Sequence, residues 1–213
     1  MDEYLTIALP KGRILEKIID YFSKLNITIK EESRKLDYFD EENKIRFLFV
    51  KNSDLPVYVN YGVADLGIVG SDVIYESNFE LLRFATLPFG KTKICLAGFE
   101  EKKELLEQKN FQTFIKDIKI ATKFTKWTTD YFNSIEIPIK IIHLTGSIEL
   151  APILGLSDFI VDLVETGTTL KENNLSLIKE LGLTEVLLIG NNSRYKLNYK
   201  RIDKLVEILE KIY

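Results

Sequence analysis

Residues Val161 to Leu170 read V-D-L-V-E-T-G-T-T-L, and this stretch decides both the architecture and the chemistry expected of the chain. The apolar run Phe159 to Leu163 predicts a buried strand. It empties into Glu165-Thr166-Gly167-Thr168-Thr169, after which Leu170 to Asn173 opens a helix. Gly167 can take a positive φ, so successive backbone N–H groups turn toward one point, with the hydroxyls of Thr166, Thr168 and Thr169 as further donors. The unpaired N–H groups of a helix start add to the same anion site. Asp162 and Glu165 would repel a bare phosphate, yet they suit the diol of a ribose or a magnesium ion escorting a phosphate. A sugar phosphate fits both features. The plain alternative is a strand–turn–helix corner with threonine caps, which short glycine-containing motifs also match.

Outward from this stretch, short apolar runs alternate with amphipathic ones, the pattern of an α/β protein. Leu5 to Leu9 predicts a strand, and Ile14, Leu15, Ile18, Ile19, Phe22 and Leu25 then recur at helical spacing. Lys11 and Arg13 flank Gly12 in the turn between them. A cationic pair there points out of a strand's carboxyl end, where α/β proteins bind ligands. Ile45 to Val50 alternates like a strand, Asp54 and Pro56 mark a helix start, Gly62 marks its end, and Leu66 to Val69 is a further strand. Gly67 to Asp72 ends that strand and begins a helix that Ser71 or Asp72 would cap. Gly146-Ser147 reads as another helix start. Further strands are expected at Lys93 to Phe99, Ile118 to Thr122, Lys140 to His143 and Glu185 to Ile189. Asn198 to Tyr213 is a helix with Ile202, Leu205, Val206, Leu209 and Ile212 on its apolar face.

At 213 residues, with 46% hydrophobic and 29% charged residues, the chain can bury one large core or two small ones. A formal net charge of −3 without a basic tract argues against a nucleic-acid partner. Met1 to Tyr4 lacks the features of an export signal, and no apolar run approaches the ~18 residues of a membrane span, so a cytoplasmic protein is expected. The single Cys95 excludes an intramolecular disulfide and a cysteine-cluster metal site, and its apolar neighbours predict a buried structural thiol. The lone His143 ends an apolar strand, where a packed residue is expected rather than a catalyst. No histidine or carboxylate cluster has metal-ligand spacing, so any metal should be magnesium arriving with phosphates.

The loop resembles the phosphoribosyl-pyrophosphate loop of type I phosphoribosyltransferases, although Val161 stands where those enzymes carry the first of two adjacent acids. A second family matches more of the chain. Its motifs are A-L-P-K-G-R at Ala8 to Arg13, S-R-K-L at Ser33 to Leu36, S-D-L-P-V-Y-V-N-Y-G at Ser53 to Gly62 and A-D-L-G-I-V-G-S-D at Ala64 to Asp72. I-A-T-K-F at Ile120 to Phe124 and G-S-I-E-L-A-P at Gly146 to Pro152 complete the set with the loop. In that order and spacing the chain resembles ATP phosphoribosyltransferase in its short form.

The resemblance implies a two-lobed fold similar to type II periplasmic binding proteins, with the active site in the interlobe cleft. Residues 1–88 with 177–213 would form lobe one, and residues 89–176 would form lobe two carrying the loop. The reaction implied is attack of the adenine N1 of ATP on the ribose C1 of phosphoribosyl pyrophosphate, with pyrophosphate leaving. Cations aimed at the leaving group would then carry catalysis, and the matching motifs offer Lys11, Arg13, Arg34 and Lys51. Lys51 and Asn52 stand where the family usually has arginine and proline; lysine keeps the charge but loses the planar fork. Gly70 and Ser71 would border the nucleotide. The resemblance also implies self-association to dimers and a separate regulatory subunit similar to histidyl-tRNA synthetase, because no sequence follows the last helix to form a histidine-binding domain. The competing readings are a type I phosphoribosyltransferase acting on a free base and a bilobal solute-binding or sensor module.

Overall fold

The computed structural model describes residues 3–31, 35–107 and 118–210. They fall into two compact units, one formed by the chain up to Lys91 together with the chain from Glu185, the other by Thr92–Thr184.

In chain order the first unit runs β1 (Leu5–Pro10), α1 (Arg13–Ser23), β2 (Asp37–Asp40), β3 (Ile45–Val50), α2 (Leu55–Asn60), β4 (Leu66–Gly70), α3 (Ser71–Ser77) and β5 (Leu82–Thr86). The second contains β6 (Thr92–Gly98), α4 (Glu104–Glu107), β7 (Ile118–Thr122), α5 (Thr125–Ser134), β8 (Ile139–His143), α6 (Leu150–Ile153), β9 (Phe159–Val164), α7 (Thr168–Glu172) and β10 (Ser176–Thr184). The chain then re-enters the first unit with β11 (Val186–Gly190) and α8 (Asn192–Glu210).

The first unit's described strands form one sheet in the order β2-β3-β1-β4-β11-β5, with β1 parallel to both β3 and β4. The returning β11 inserts antiparallel between β4 and β5. The apolar stripe of α1 explains its docking: Leu15, Ile18, Tyr21 and Phe22 are buried against Leu5, Ile7 and Leu9 of β1. A fully buried Asp65 ties three segments together, accepting from Thr6 N–H at 2.8 Å, Arg194 Nε at 2.6 Å and Asn198 Nδ2 at 3.0 Å. A buried carboxylate is tolerated when its oxygens are paired and hydrogen-bonded in this way.

That last bond coincides with a break in α8. Asn198 leaves helical geometry (φ −121°, ψ 16°), and its amide reaches Asp65. The sequence reading began this helix at Asn198, whereas α8 begins at Asn192, with the Asn191 side chain accepting the Arg194 N–H at 3.0 Å. Ile202, Leu205 and Leu209 are buried as expected, and Ile212 lies outside the described residues.

The second unit's described strands run β10-β6-β9-β7-β8, with β9 central and β7 parallel to both β8 and β9. Ser176–Thr184 pairs along β6 through two bulges, so these residues go with the second unit and the chain returns at Glu185, whereas the sequence reading placed the return at 177. Cys95 is fully buried in β6 as expected, and burial pushes its thiol above the ordinary range. His143 is exposed at the end of β8, the last described strand of this sheet, and is not packed as expected.

Candidate functional site

The stretch that opened the sequence reading forms a turn at the carboxyl end of a central strand. Phe159, Ile160 and Val161 are almost wholly buried, and the second half of β9 is half-buried as it leaves the core. Gly167 has φ 74° and ψ 7°, the left-handed conformation that glycine adopts without a steric penalty. The hydroxyls of Thr166 and Thr168 lie 3.0 Å apart, and Thr169 beside them is exposed, as is Glu165. Leu170 is buried with Ala97, Ile160 and Leu175, which fixes the far side of the turn while its polar face stays open.

Helix α7 starts at Thr168, ahead of the expected Leu170, and has five residues, so it adds little macrodipole. The backbone N–H groups and the threonine hydroxyls are therefore the main donors. A 530 Å³ pocket adjoins the turn, lined by Glu165, Thr166, Gly167 and Lys171, with Lys93 and Glu180 ion-paired on its wall. Asp162 is partly buried. Its Oδ1 accepts the Leu163 N–H at 2.8 Å and lies 3.4 Å from Lys123 Nζ, a cation absent from the residues expected from sequence.

The first unit gathers the expected cations differently. Pro10 and Val50 are partners in the parallel β1/β3 ladder, and the Lys11 N–H continues it by donating to Val50 O at 2.9 Å. This brings Lys11 and Lys51, distant in sequence, to the lining of one 600 Å³ pocket together with Asn52, Asp54 and Tyr58. Gly12 caps α1 with φ 105°. Arg13 is the first residue of α1 and is exposed, but it is not among the residues lining that pocket. Arg34 lies outside the described residues.

Gly70 and Ser71 have structural duties that the sequence did not suggest. The helix after β4 begins at Ser71 itself, so Ser71 is not a cap; its Oγ accepts the Glu185 N–H at 3.1 Å, and its own N–H donates to Glu185 O at 2.8 Å. Both bonds hold the point where the chain re-enters the first unit. A Cβ at Gly70 would meet Asp72 Oδ1 at 2.2 Å, so any larger residue there would displace the carboxylate of the buried Asp72. The Gly146-Ser147 helix start is also displaced: Ser147 takes φ 48° and α6 begins only at Leu150.

Among the described residues no group of three or more His, Cys, Asp or Glu side chains is placed to hold a metal ion. No helix among them is long and apolar enough to cross a membrane.

The family model described as HisG: ATP phosphoribosyltransferase matches residues 51–211. The ATP phosphoribosyltransferase of Brachyspira hyodysenteriae is 42% identical over 212 residues, covering 98% of this chain and 99% of that protein. Among solved structures, the ATP phosphoribosyl transferase (HisG:HisZ) complex from Thermotoga maritima superposes with a TM-score of 0.80 at 35% identity, covering 98% of each chain. The periplasmic aliphatic sulphonate binding protein SsuA of Escherichia coli, 15% identical, matches with a TM-score of 0.62 over 99% of this chain and 72% of its own, a likeness of fold alone. The fold is thus the two-lobed type II periplasmic-binding-protein type expected, and the chain belongs to the ATP phosphoribosyltransferase family.

Proposed function

We propose that this chain transfers the 5-phosphoribosyl group of phosphoribosyl pyrophosphate to N1 of the adenine of ATP, the first step of histidine biosynthesis. The bond from ribose C1 to the pyrophosphate oxygen breaks, the N1–C1 bond forms, and pyrophosphate departs with the bonding pair. The observation that carries this reading is the open turn Glu165 to Thr169, where a left-handed glycine and three exposed threonines offer donors to a phosphate beside two acids suited to a ribose. In this reading Thr166, Gly167, Thr168 and Thr169 hold the 5-phosphate, and Asp162 and Glu165 face the ribose hydroxyls.

Positive charge builds on the ribose as negative charge builds on the leaving oxygens. Lys11 and Lys51, sharing one pocket, are the cations for that negative charge, with Arg13 and Arg34 in supporting roles. In the same reading Gly70 and Ser71 border the nucleotide. Magnesium enters with the substrates in this reading, bound to their phosphates.

Self-association to dimers, a cytoplasmic location and control by a HisZ-like regulatory subunit belong to the same reading. The Thermotoga maritima relative, solved as a HisG:HisZ complex, supports the last of these. A partner that binds one conformation of the chain better than another can bias activity, and reciprocity ties its binding to that of the ligands.

The test is pyrophosphate release with magnesium, phosphoribosyl pyrophosphate and either ATP, adenine or hypoxanthine. Release is expected with ATP alone among the three acceptors, to rise when the regulatory subunit is added, and to become sensitive to histidine only then. Turnover of a free base in preference to ATP would overturn the assignment. Histidine inhibition of the isolated chain would overturn the regulatory part.

A further inference from the structure

Lys123 leaves β7 just as Asp162 approaches the end of β9, and the two strands are parallel neighbours with Thr122 opposite Val161. Both side chains therefore stand near the carboxyl ends of adjacent parallel strands, the side of an α/β sheet on which ligands bind. The ammonium lies 3.4 Å from Asp162 Oδ1 and 4.8 Å from the centroid of the Phe124 ring.

The turn that presents it is held from several directions. The fully buried Thr122 donates its hydroxyl to Val161 O at 2.7 Å and accepts the Phe124 N–H at 2.9 Å. Phe124 is itself buried, and its carbonyl accepts the Thr128 hydroxyl at 2.6 Å. A lysine on a fixed turn, over an aromatic ring and against a carboxylate only 24% exposed, is more constrained than an ordinary surface lysine.

Asp162 presents a difficulty that Lys123 removes. A carboxylate that accepts ribose hydroxyls must stand near a donor carrying several negative charges, and at a partly buried position that repulsion is weakly screened. We infer that Lys123 is a positioning residue for the ribosyl donor: it neutralises Asp162, so that the carboxylate can orient the ribose without repelling the phosphates. This rests on the reading that the turn after β9 binds phosphoribosyl pyrophosphate.

Calorimetric titration of phosphoribosyl pyrophosphate with magnesium into the full chain tests it, comparing wild type, Lys123→Met and Lys123→Met combined with Asp162→Asn. Methionine keeps an apolar stem over Phe124 while removing the charge. Lys123→Met should weaken donor binding roughly ten-fold or more, the effect of an uncompensated neighbouring charge, while the KM for ATP changes less than ~3-fold. Adding Asp162→Asn should recover much of that loss, and Lys123→Arg should bind nearly as well as wild type. A merely structural lysine would weaken both substrates together and gain nothing from Asp162→Asn. Wild-type donor affinity in Lys123→Met, or a double variant that binds more weakly than the single one, overturns the inference. If Lys123→Met does not fold, Lys123→Gln is judged by the same outcomes. Failure of the wild-type chain to bind the donor overturns the underlying reading of the turn instead.

Discussion

The turn after β1 and the turn after β9 are built alike and equipped differently. In each, a buried strand ends, a glycine with positive φ caps a helix, and the following side chains face solvent: Gly12 at 105° before α1, Gly167 at 74° before α7. A Cβ at Gly12 would meet nothing within 4 Å, and at Gly167 only Val164 Cγ1 at 3.9 Å, so backbone conformation rather than lack of space requires glycine at both. Around Gly167 stand threonines whose hydroxyls, with the backbone N–H groups, can surround a compact phosphate. Around Gly12 stand Lys11 and Arg13, and the parallel ladder adds Lys51. Neutral donors give geometry and point charges give field strength. In the proposed reaction, the first suits a group that is held throughout and the second a group whose charge grows as it leaves.

The sharpest way to break this contrast is Gly167→Val. A β-branched residue at φ 74° is strained by about 1–3 kcal/mol, and its side chain would crowd the anion. The turn is exposed, so the variant should fold, and calorimetry should find donor binding lost. A folded Gly167→Val protein with unchanged donor affinity would reduce the turn to a plain strand–helix corner.

Next in size is Lys51→Ala, expected to cost turnover about 2–4 kcal/mol in transition-state stabilisation while weakening ATP binding less. Steady-state kinetics with Lys51→Arg tolerated would support a leaving-group cation. Wild-type turnover in the alanine variant would make Lys51 surface charge.

The smallest effect should come from Arg13→Ala, because Arg13 does not line the pocket that Lys11 and Lys51 share. A loss of under ~1 kcal/mol, of the size seen for exposed charges, is expected from kcat/KM. A loss equal to that of Lys51→Ala would show that the cationic turn acts as a whole.

Where the sequence was legible, the reason was a short run that is mostly apolar or alternates apolar with polar residues. β3 and β7 were read to the residue, and β1, β4, β6, β8, β9 and β11 to within a residue or so at either end, most of them interior strands covered on both faces. The strands that were missed, β2, β5 and β10, all lie at sheet edges. Asp37–Asp40 begins and ends in aspartate, Leu82–Thr86 is only half-buried, and the two bulges of β10 break its alternation. An edge strand needs one partner and one covered face, so its sequence carries little of the periodic signal.

The site divides along the same line. The sequence by itself determined the turn Glu165 to Thr169, because a strand–glycine–helix corner is local: one positive-φ glycine between a strand and a helix suffices. It also determined Lys11 and Arg13, which follow directly from a strand end. Only the tertiary structure decided that Lys51 joins Lys11, that Ser71 holds the chain's return at Glu185, and that Lys123 faces Asp162. Each of those depends on which strands lie side by side and in what register, and register is fixed by the packing of whole faces rather than by the residues that happen to meet.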